Sequence, residues 1–307
     1  METHYDVSIV GSGPAGATAA LFLSRAGLKT VVFEEGTLGG AIVNVQLIEN
    51  YPSYPDGISG TELGTNLVNQ AMKSGVEFKL STVSGVDLLP GGFKNVKTDE
   101  GDYSTKAVII ASGATHKKLE VPGEEMFEGN GLSYCAYCDG DKFKGKDVAV
   151  IGGGDSGVTE ALYLARITTR VTLIELLPKL SASRVLQKRA QENPKIRIFP
   201  ATSIEAIEAD GEARNLRLRN VENGENWVLT VSGIFVRIGI VPQADYSRDL
   251  VKLDEFGFIV VNQNMETNVP GVFAAGDIRS GSPRQWVTAA GDGAIAGISA
   301  GRYLTLT

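Results

Sequence analysis

Short apolar runs alternate along the chain with glycine turns and with stretches of helical spacing, and the order repeats. Residues 5–10 predict a buried strand, GSGPAG at 11–16 a turn, 17–25 a helix, and 29–33 a second strand ending at Glu34. The same succession returns with 147–151 as strand, GGGDSG at 152–157 as turn, 158–166 as helix, and 170–174 as a strand ending at Glu175. In each unit the acid stands 18 residues beyond the third glycine, Gly16 to Glu34 and Gly157 to Glu175. One such turn alone carries little information, since any tight strand-to-helix turn favours glycine. Two of them, each with its strand, helix and acid, predict two dinucleotide-binding βαβ units. The first glycine would permit the tight turn, the second would let backbone approach a pyrophosphate, and the third would let helix pack on strand.

Between the units, 76–98 predicts strand and hairpin, and 107–111 an apolar strand followed by SGAT. The segments 113–123 and 239–244 predict two interdomain connections, the second after an apolar strand at 233–238. Beyond it, GFIVV at 257–261 predicts a strand and GVFAAGDI at 271–278 a further apolar run, in a tail too short for a third domain. The expected fold is α/β, with two Rossmann-like domains, three-layer ββα and βαβ, the second inserted into the first. Its boundaries fall at 1–116, 117–242 and 243–307.

With 307 residues, the chain has room for two such cores, and 43% apolar with 21% charged residues is the balance of a folded protein. A formal charge of -7 offers no attraction to nucleic acid or to an anionic membrane. No apolar run reaches the roughly 18 residues of a membrane span, and the N-terminus enters a strand without a basic leader, so a cytoplasmic protein is expected. The chain has only two cysteines, Cys135 and Cys138, and two histidines, His4 and His116. A four-cysteine zinc site is excluded, a mixed one would need both histidines at the cysteine pair, and no metal is expected.

The cysteines form CAYCDG at 135–140, just ahead of the second unit. A CxxC pair at a helix start predicts a redox dithiol, because a thiolate gains from the helix N-terminus and the ring closes with little strain. Asp139 follows directly and is placed to give or take the proton that thiol–disulfide exchange needs, or to cap the helix.

Together GSGPAG, ENYP at 49–52, ASGA at 111–114, CAYCDG, GGGDSG, METNVPGVFAAGD at 265–277 and RQWVTAAGDGA at 284–294 resemble the low-molecular-weight thioredoxin reductases, over nearly the whole chain. The resemblance implies an FAD-containing homodimer in which flavin reduces the CxxC disulfide and the dithiol reduces a thioredoxin-like protein. It also implies that Cys138 faces the flavin, that Cys135 attacks the partner disulfide and that Asp139 protonates the leaving thiolate. The FAD site would take Gly11, Ser12, Gly13, Ala15 and Gly16 from the first turn, with Glu34 and Glu35 after the second strand. Gly39, Gly40, Asn50, Val83, Ala111 and Gly113 would line it further, and Gly276, Asp277, Arg284, Gln285 and Trp286 would close it. The second site would use Gly152, Gly154, Asp155, Ser156 and Glu175. Rotation of the inserted domain about its two connections is a further implication of the resemblance. The larger glutathione and lipoamide reductases place their cysteines after the first βαβ helix and add a C-terminal domain with a catalytic histidine, features this sequence does not match.

Two departures bear on the electron donor. Members that use NADPH carry His-Arg-Arg and a later arginine where this chain has Glu175, Leu176, Leu177 and Ser181. A carboxylate at Glu175 opposes a 2′-phosphate and suits the free ribose hydroxyls of NADH, so NADH is favoured and NADPH disfavoured. The segment VTLIELLPKLSASRVLQ also resembles the NADH-using flavoprotein component of alkyl hydroperoxide reductase. Ala41 replaces a glutamine and Trp286 a small residue, and a Trp286 that screened the flavin would hinder nicotinamide and favour ferredoxin as donor. Trp286 can equally be a packing residue without flavin contact. The rival functions are a ferredoxin-dependent thioredoxin reductase, a flavin-dependent dithiol oxidase and a non-catalytic flavin redox sensor.

Overall fold

The computed structural model describes residues 5–45, 47–211 and 213–306. The chain divides into two compact units, Met1–Thr115 with Val241–Thr307, and His116–Ile240. In the first, β1 (Tyr5–Val10) leads into α1 (Pro14–Arg25) and β2 (Thr30–Glu34). Then come α2 (Gly60–Lys73), β3 (Glu77–Leu80), β4 (Val83–Leu88), β5 (Lys94–Thr98) and β6 (Gly101–Ile110). The strand order is β3-β2-β1-β6-β5-β4, parallel from β3 to β6 and antiparallel beyond. Val7, Ser8 and Ile9 are all buried, as both faces of a covered parallel sheet require. The small residues Ala15, Ala19 and Ala20 let α1 lie close on that sheet. Ser59 caps α2 by accepting a hydrogen bond from the Glu62 N–H at 3.1 Å.

The short β7 (Ala114–His116) carries the chain across. The second unit holds α3 (Glu124–Phe127), β8 (Leu132–Ser133), α4 (Ala136–Asp139), β9 (Asp147–Ile151), α5 (Asp155–Ile167), β10 (Arg170–Ile174), α6 (Arg184–Gln191) and β11 (Ile196–Phe199). An antiparallel meander follows, β12 (Thr202–Asp210), β13 (Ala213–Asn220) and β14 (Asn226–Val231), then β15 (Gly233–Val236). The main sheet is parallel throughout, in the order β11-β10-β9-β15-β8. The return strand β16 (Ile240–Pro242) pairs with β7, so the two crossings form one ribbon. Back in the first unit, β17 (Val272–Ala274) pairs in parallel with 108–110 of β6, and α7 (Trp286–Leu306) packs on α1.

The α/β architecture with two dinucleotide-type units is the expected one, with three local differences. Both helices after the glycine turns begin earlier than expected, at Pro14 and Asp155, because the last residues of each turn already belong to the helix. The meander β12–β14 was not anticipated. At 257–261 there is no strand: the Asp254 carboxylate accepts the N–H groups of Phe256 and Phe258, both at 2.9 Å, and Ile259 makes only isolated bridges. Among the described residues no helix is long and apolar enough to cross a membrane. His4, on which a mixed zinc site would depend, lies outside the described residues.

Candidate active site

The turn between β1 and α1 shows why its glycines differ in purpose. Gly11 has φ +100°, and a Cβ there would stand 2.4 Å from the Ala111 carbonyl oxygen. A Cβ on Gly16 would stand 1.8 Å from the Gly11 carbonyl oxygen. Both glycines are demanded by the chain itself. Gly13 is not: a Cβ there would meet only the Gly39 carbonyl oxygen, at an ordinary 3.8 Å. The open space beside Gly13 faces the start of α1, which has no side-chain cap. That is the arrangement of an anion site at a helix N-terminus.

Glu34 closes β2 with its carboxylate on the turn, accepting the Ser12 N–H at 2.8 Å, the Ser12 hydroxyl at 2.7 Å and the Gly36 N–H at 3.1 Å. The Ser12 hydroxyl in turn accepts the Gly39 N–H at 2.9 Å, and a Cβ on Gly40 would come within 2.9 Å of the Gly13 Cα. Gly276, at φ +83°, lies against Ala15, where a Cβ would meet its methyl at 2.9 Å. Thus 11–16, Glu34, Gly39, Gly40, Ala111 and Gly276 converge at the carboxyl ends of β1, β2, β6 and β17, the edge where open α/β sheets take ligands. Asn50 and Gln285, 235 residues apart, meet through a 3.1 Å hydrogen bond. Trp286 packs beside Ile42, Ile48, Ile58 and Leu63, and Val83 joins the core cluster of Val31, Phe33 and Ile110. Glu35 is exposed, and Gly113, at φ +72°, accepts the Gln243 N–H at the crossing.

Sequence reasoning missed what holds the Gly276–Asp277 loop. Arg279 donates twice to Asp292, at 2.6 and 2.9 Å, and Asp292 also accepts the Gly276 N–H at 3.2 Å. The partners lie 13 residues apart on a loop and on α7, beyond any local pattern. Arg284, at φ +57°, lays its guanidinium over the Phe258 ring, and its buried Nε has no hydrogen-bond partner among the described residues.

In the second unit the turn repeats this logic. Gly152 and Gly157 are enforced by the Arg237 and Gly152 carbonyl oxygens, at 2.3 and 1.8 Å from a Cβ, whereas Gly154 would meet only the Ser181 hydroxyl at 3.6 Å. Glu175 is buried and accepts the Gly153 N–H at 2.6 Å and the Leu177 N–H at 2.9 Å, the counterparts of Glu34's bonds. Asp155 accepts the Ser183 N–H at 2.6 Å, drawing the segment after β10 over the turn, where Ser156 is exposed. Leu176 and Leu177 are also exposed.

Cys135 and Cys138 are joined in a disulfide, with Cys135 as the N-cap of α4. The Asp139 carboxylate accepts the Ser133 hydroxyl at 2.6 Å and pairs with the Lys142 ammonium at 2.6 Å. Ser133 also accepts the Cys135 N–H at 3.1 Å. Asp139 is therefore anchored beside the disulfide by two donors that no sequence pattern identified.

The profile described as pyridine nucleotide-disulphide oxidoreductase matches residues 5–293. The chain is 43% identical over 305 residues to the thioredoxin reductase of Bacillus subtilis, covering 99% of this chain and 96% of that one. It is 42% identical over 305 residues to the thioredoxin reductase of Listeria innocua, covering 99% and 95%. The solved thioredoxin reductase of Streptococcus pyogenes superposes with a TM-score of 0.93 at 39% identity, covering 100% of both chains. The chain belongs to the low-molecular-weight thioredoxin reductase family.

That family consists of FAD-dependent disulfide oxidoreductases, and the first unit fits such a cofactor. Gly13 leaves room for a pyrophosphate, and one Asp277 oxygen accepts the Ser282 hydroxyl at 3.3 Å, leaving acceptor capacity for a ribityl-type hydroxyl. Burial holds the Asp277 carboxyl above the usual carboxylate range, against the opposing pull of Ser282 and Arg284. A carboxyl raised on folding stabilises the chain below its unfolded value, about 3.9, and loses that contribution as pH rises through the folded value. The FAD-free Asp277→Asn variant is therefore expected to gain melting temperature relative to the parent between about pH 4 and pH 7. A difference that stays constant with pH contradicts this.

Proposed function

We propose that the chain passes electrons from NADH, in preference to NADPH, through FAD and the Cys135–Cys138 couple to the disulfide of a thioredoxin-like protein. The observation that carries this reading is the closed CxxC disulfide at the start of α4 with an anchored acid one residue beyond it. Bound FAD supplies the two-electron step between the nicotinamide and this disulfide. Two electrons and two protons open the Cys135–Cys138 bond to a dithiol. Cys135 passes its proton to Asp139 and, as the thiolate, attacks the partner disulfide, forming a mixed disulfide and expelling one partner thiolate, to which Asp139 returns that proton. Cys138 then attacks Cys135, which restores the starting disulfide and releases the second partner thiolate, which takes the proton Cys138 gives up.

Glu175 supports NADH as donor. Its carboxylate is fixed by two N–H groups and, with about four lone-pair sites, can still accept from ribose hydroxyls. Glu34 makes the matching bonds in the unit that fits FAD. Positions 176, 177 and 181, leucine, leucine and serine, offer no cation to a 2′-phosphate.

The test is anaerobic mixing of the FAD-loaded protein with NADH, NADPH or reduced ferredoxin while flavin absorbance is followed. NADH is expected to bleach the flavin at least about tenfold faster than NADPH, a difference of about 1.4 kcal/mol. Equal rates from both nucleotides, or bleaching by ferredoxin alone, would overturn the donor assignment.

A further inference from the structure

One ion pair in the second unit, a buried carboxylate with a half-buried guanidinium, has no part in the chemistry above, yet it meets the redox loop on both sides of Cys135. Glu160 lies on α5, buried, at a position where the helix otherwise presents apolar side chains to the core. Its Oε2 accepts the N–H of Ala136 at 3.2 Å, and its Oε1 lies 3.2 Å from Arg237 Nε. Arg237 follows β15 and donates from Nη1 to the Tyr134 carbonyl oxygen at 2.7 Å. The residue before Cys135 and the residue after it are thus both held by the same pair. The N–H groups of Cys138 and Asp139 donate to the Cys135 carbonyl oxygen, within the loop itself, and beyond them the Asp139 carboxylate is held by Ser133 and Lys142.

We propose that Glu160 and Arg237 are positioning residues for the redox couple, pinning the main chain on both sides of Cys135 in the disulfide geometry and biasing the couple toward the disulfide. Reduction replaces a covalent bond with two sulfurs that must move apart. A loop pinned at Tyr134 and Ala136 holds the main chain around Cys135 in place, so the dithiol forms against a restraint that the disulfide does not feel. Burial pushes the Glu160 carboxyl up while the Arg237 charge pulls it down, so the two side chains depend on each other. Removing one partner would leave an uncompensated buried charge, whereas removing both is far better tolerated.

The experiment equilibrates the FAD-loaded protein with a series of dithiothreitol redox buffers and counts alkylated cysteines by mass. Arg237→Met is the obvious variant and can fail to fold. The double variant Glu160→Gln with Arg237→Met leaves no buried charge and keeps the test open. In the double variant the dithiol-to-disulfide ratio at a given buffer is expected to rise about tenfold, a shift of about 30 mV. A lowered melting temperature with an unchanged ratio, or a shift toward the disulfide, would overturn the inference. It rests on Cys135–Cys138 being the redox couple. If the parent pair never titrates, that reading fails as well; if the parent titrates and the double variant matches it, only the positioning role fails.

Discussion

Cys138→Ser is expected to lower the rate of protein-disulfide reduction by on the order of 10³-fold or more, while the protein still folds and retains flavin. The chain has two cysteines in all, and both are in the bridge, so no other thiol can take over the exchange. A serine hydroxyl can neither form the internal disulfide nor displace Cys135 from a mixed disulfide. The structural cost is small: Cys138 is half-buried, its N–H bond is made by backbone, and the bridge spans only four residues, a ring that constrains little of the unfolded chain. The measurement is steady-state reduction of a thioredoxin by purified parent and variant at equal flavin content. A variant within tenfold of the parent would mean that electrons reach the partner by another path.

The glycine turn gives the second large effect, a contrast between two substitutions three residues apart. Gly16→Ala would put a methyl 1.8 Å from the Gly11 carbonyl oxygen, and backbone on both sides would have to move. A loss of about 3 kcal/mol or more in stability is expected, whether or not flavin is present. Gly13→Ala meets nothing in the chain closer than 3.8 Å, so the FAD-free protein should keep its stability within about 1 kcal/mol. The methyl instead enters the space beside the start of α1, and FAD affinity should fall about 10- to 100-fold, the usual cost of overpacking a fitted site. Thermal melts of the FAD-free proteins and fluorescence titration with FAD separate the two. Full flavin affinity in Gly13→Ala would place the pyrophosphate elsewhere.

The two βαβ units were legible because everything that defines them is local: strand period, glycine spacing and an acid at a fixed distance along the chain. The same is true of the CxxC loop, whose two cysteines and acid lie within five residues. What completes the site was not legible, because it is assembled by tertiary contact. Asn50 meets Gln285, Arg279 meets Asp292 and Glu160 meets Arg237 only once strands and helices are in place. Glu160 alone left a trace in the sequence, as an acid on the apolar stripe of α5. The stretch 257–261 shows the opposite failure: its apolar residues are those of a strand, but the carboxylate of Asp254 takes N–H groups that a ladder would have needed. The meander β12–β14 is only half written in the sequence: Leu216 and Leu218 alternate with Arg217 and Arg219, but Ile204 and Ile207 stand three apart, and a bulge between Ile204 and Ala206 breaks the period of two.

The most direct test of the electron route is a thiol count under anaerobic conditions. The FAD-loaded protein is reduced with whichever donor bleaches its flavin, the donor is removed, and free thiols are alkylated and counted before and after oxidised thioredoxin is added. Cys135 and Cys138 are expected to become alkylatable as the flavin is reduced, and both to be lost to alkylation again once thioredoxin has been reduced. A bleached flavin with the Cys135–Cys138 bridge still closed would exclude this couple from the electron route.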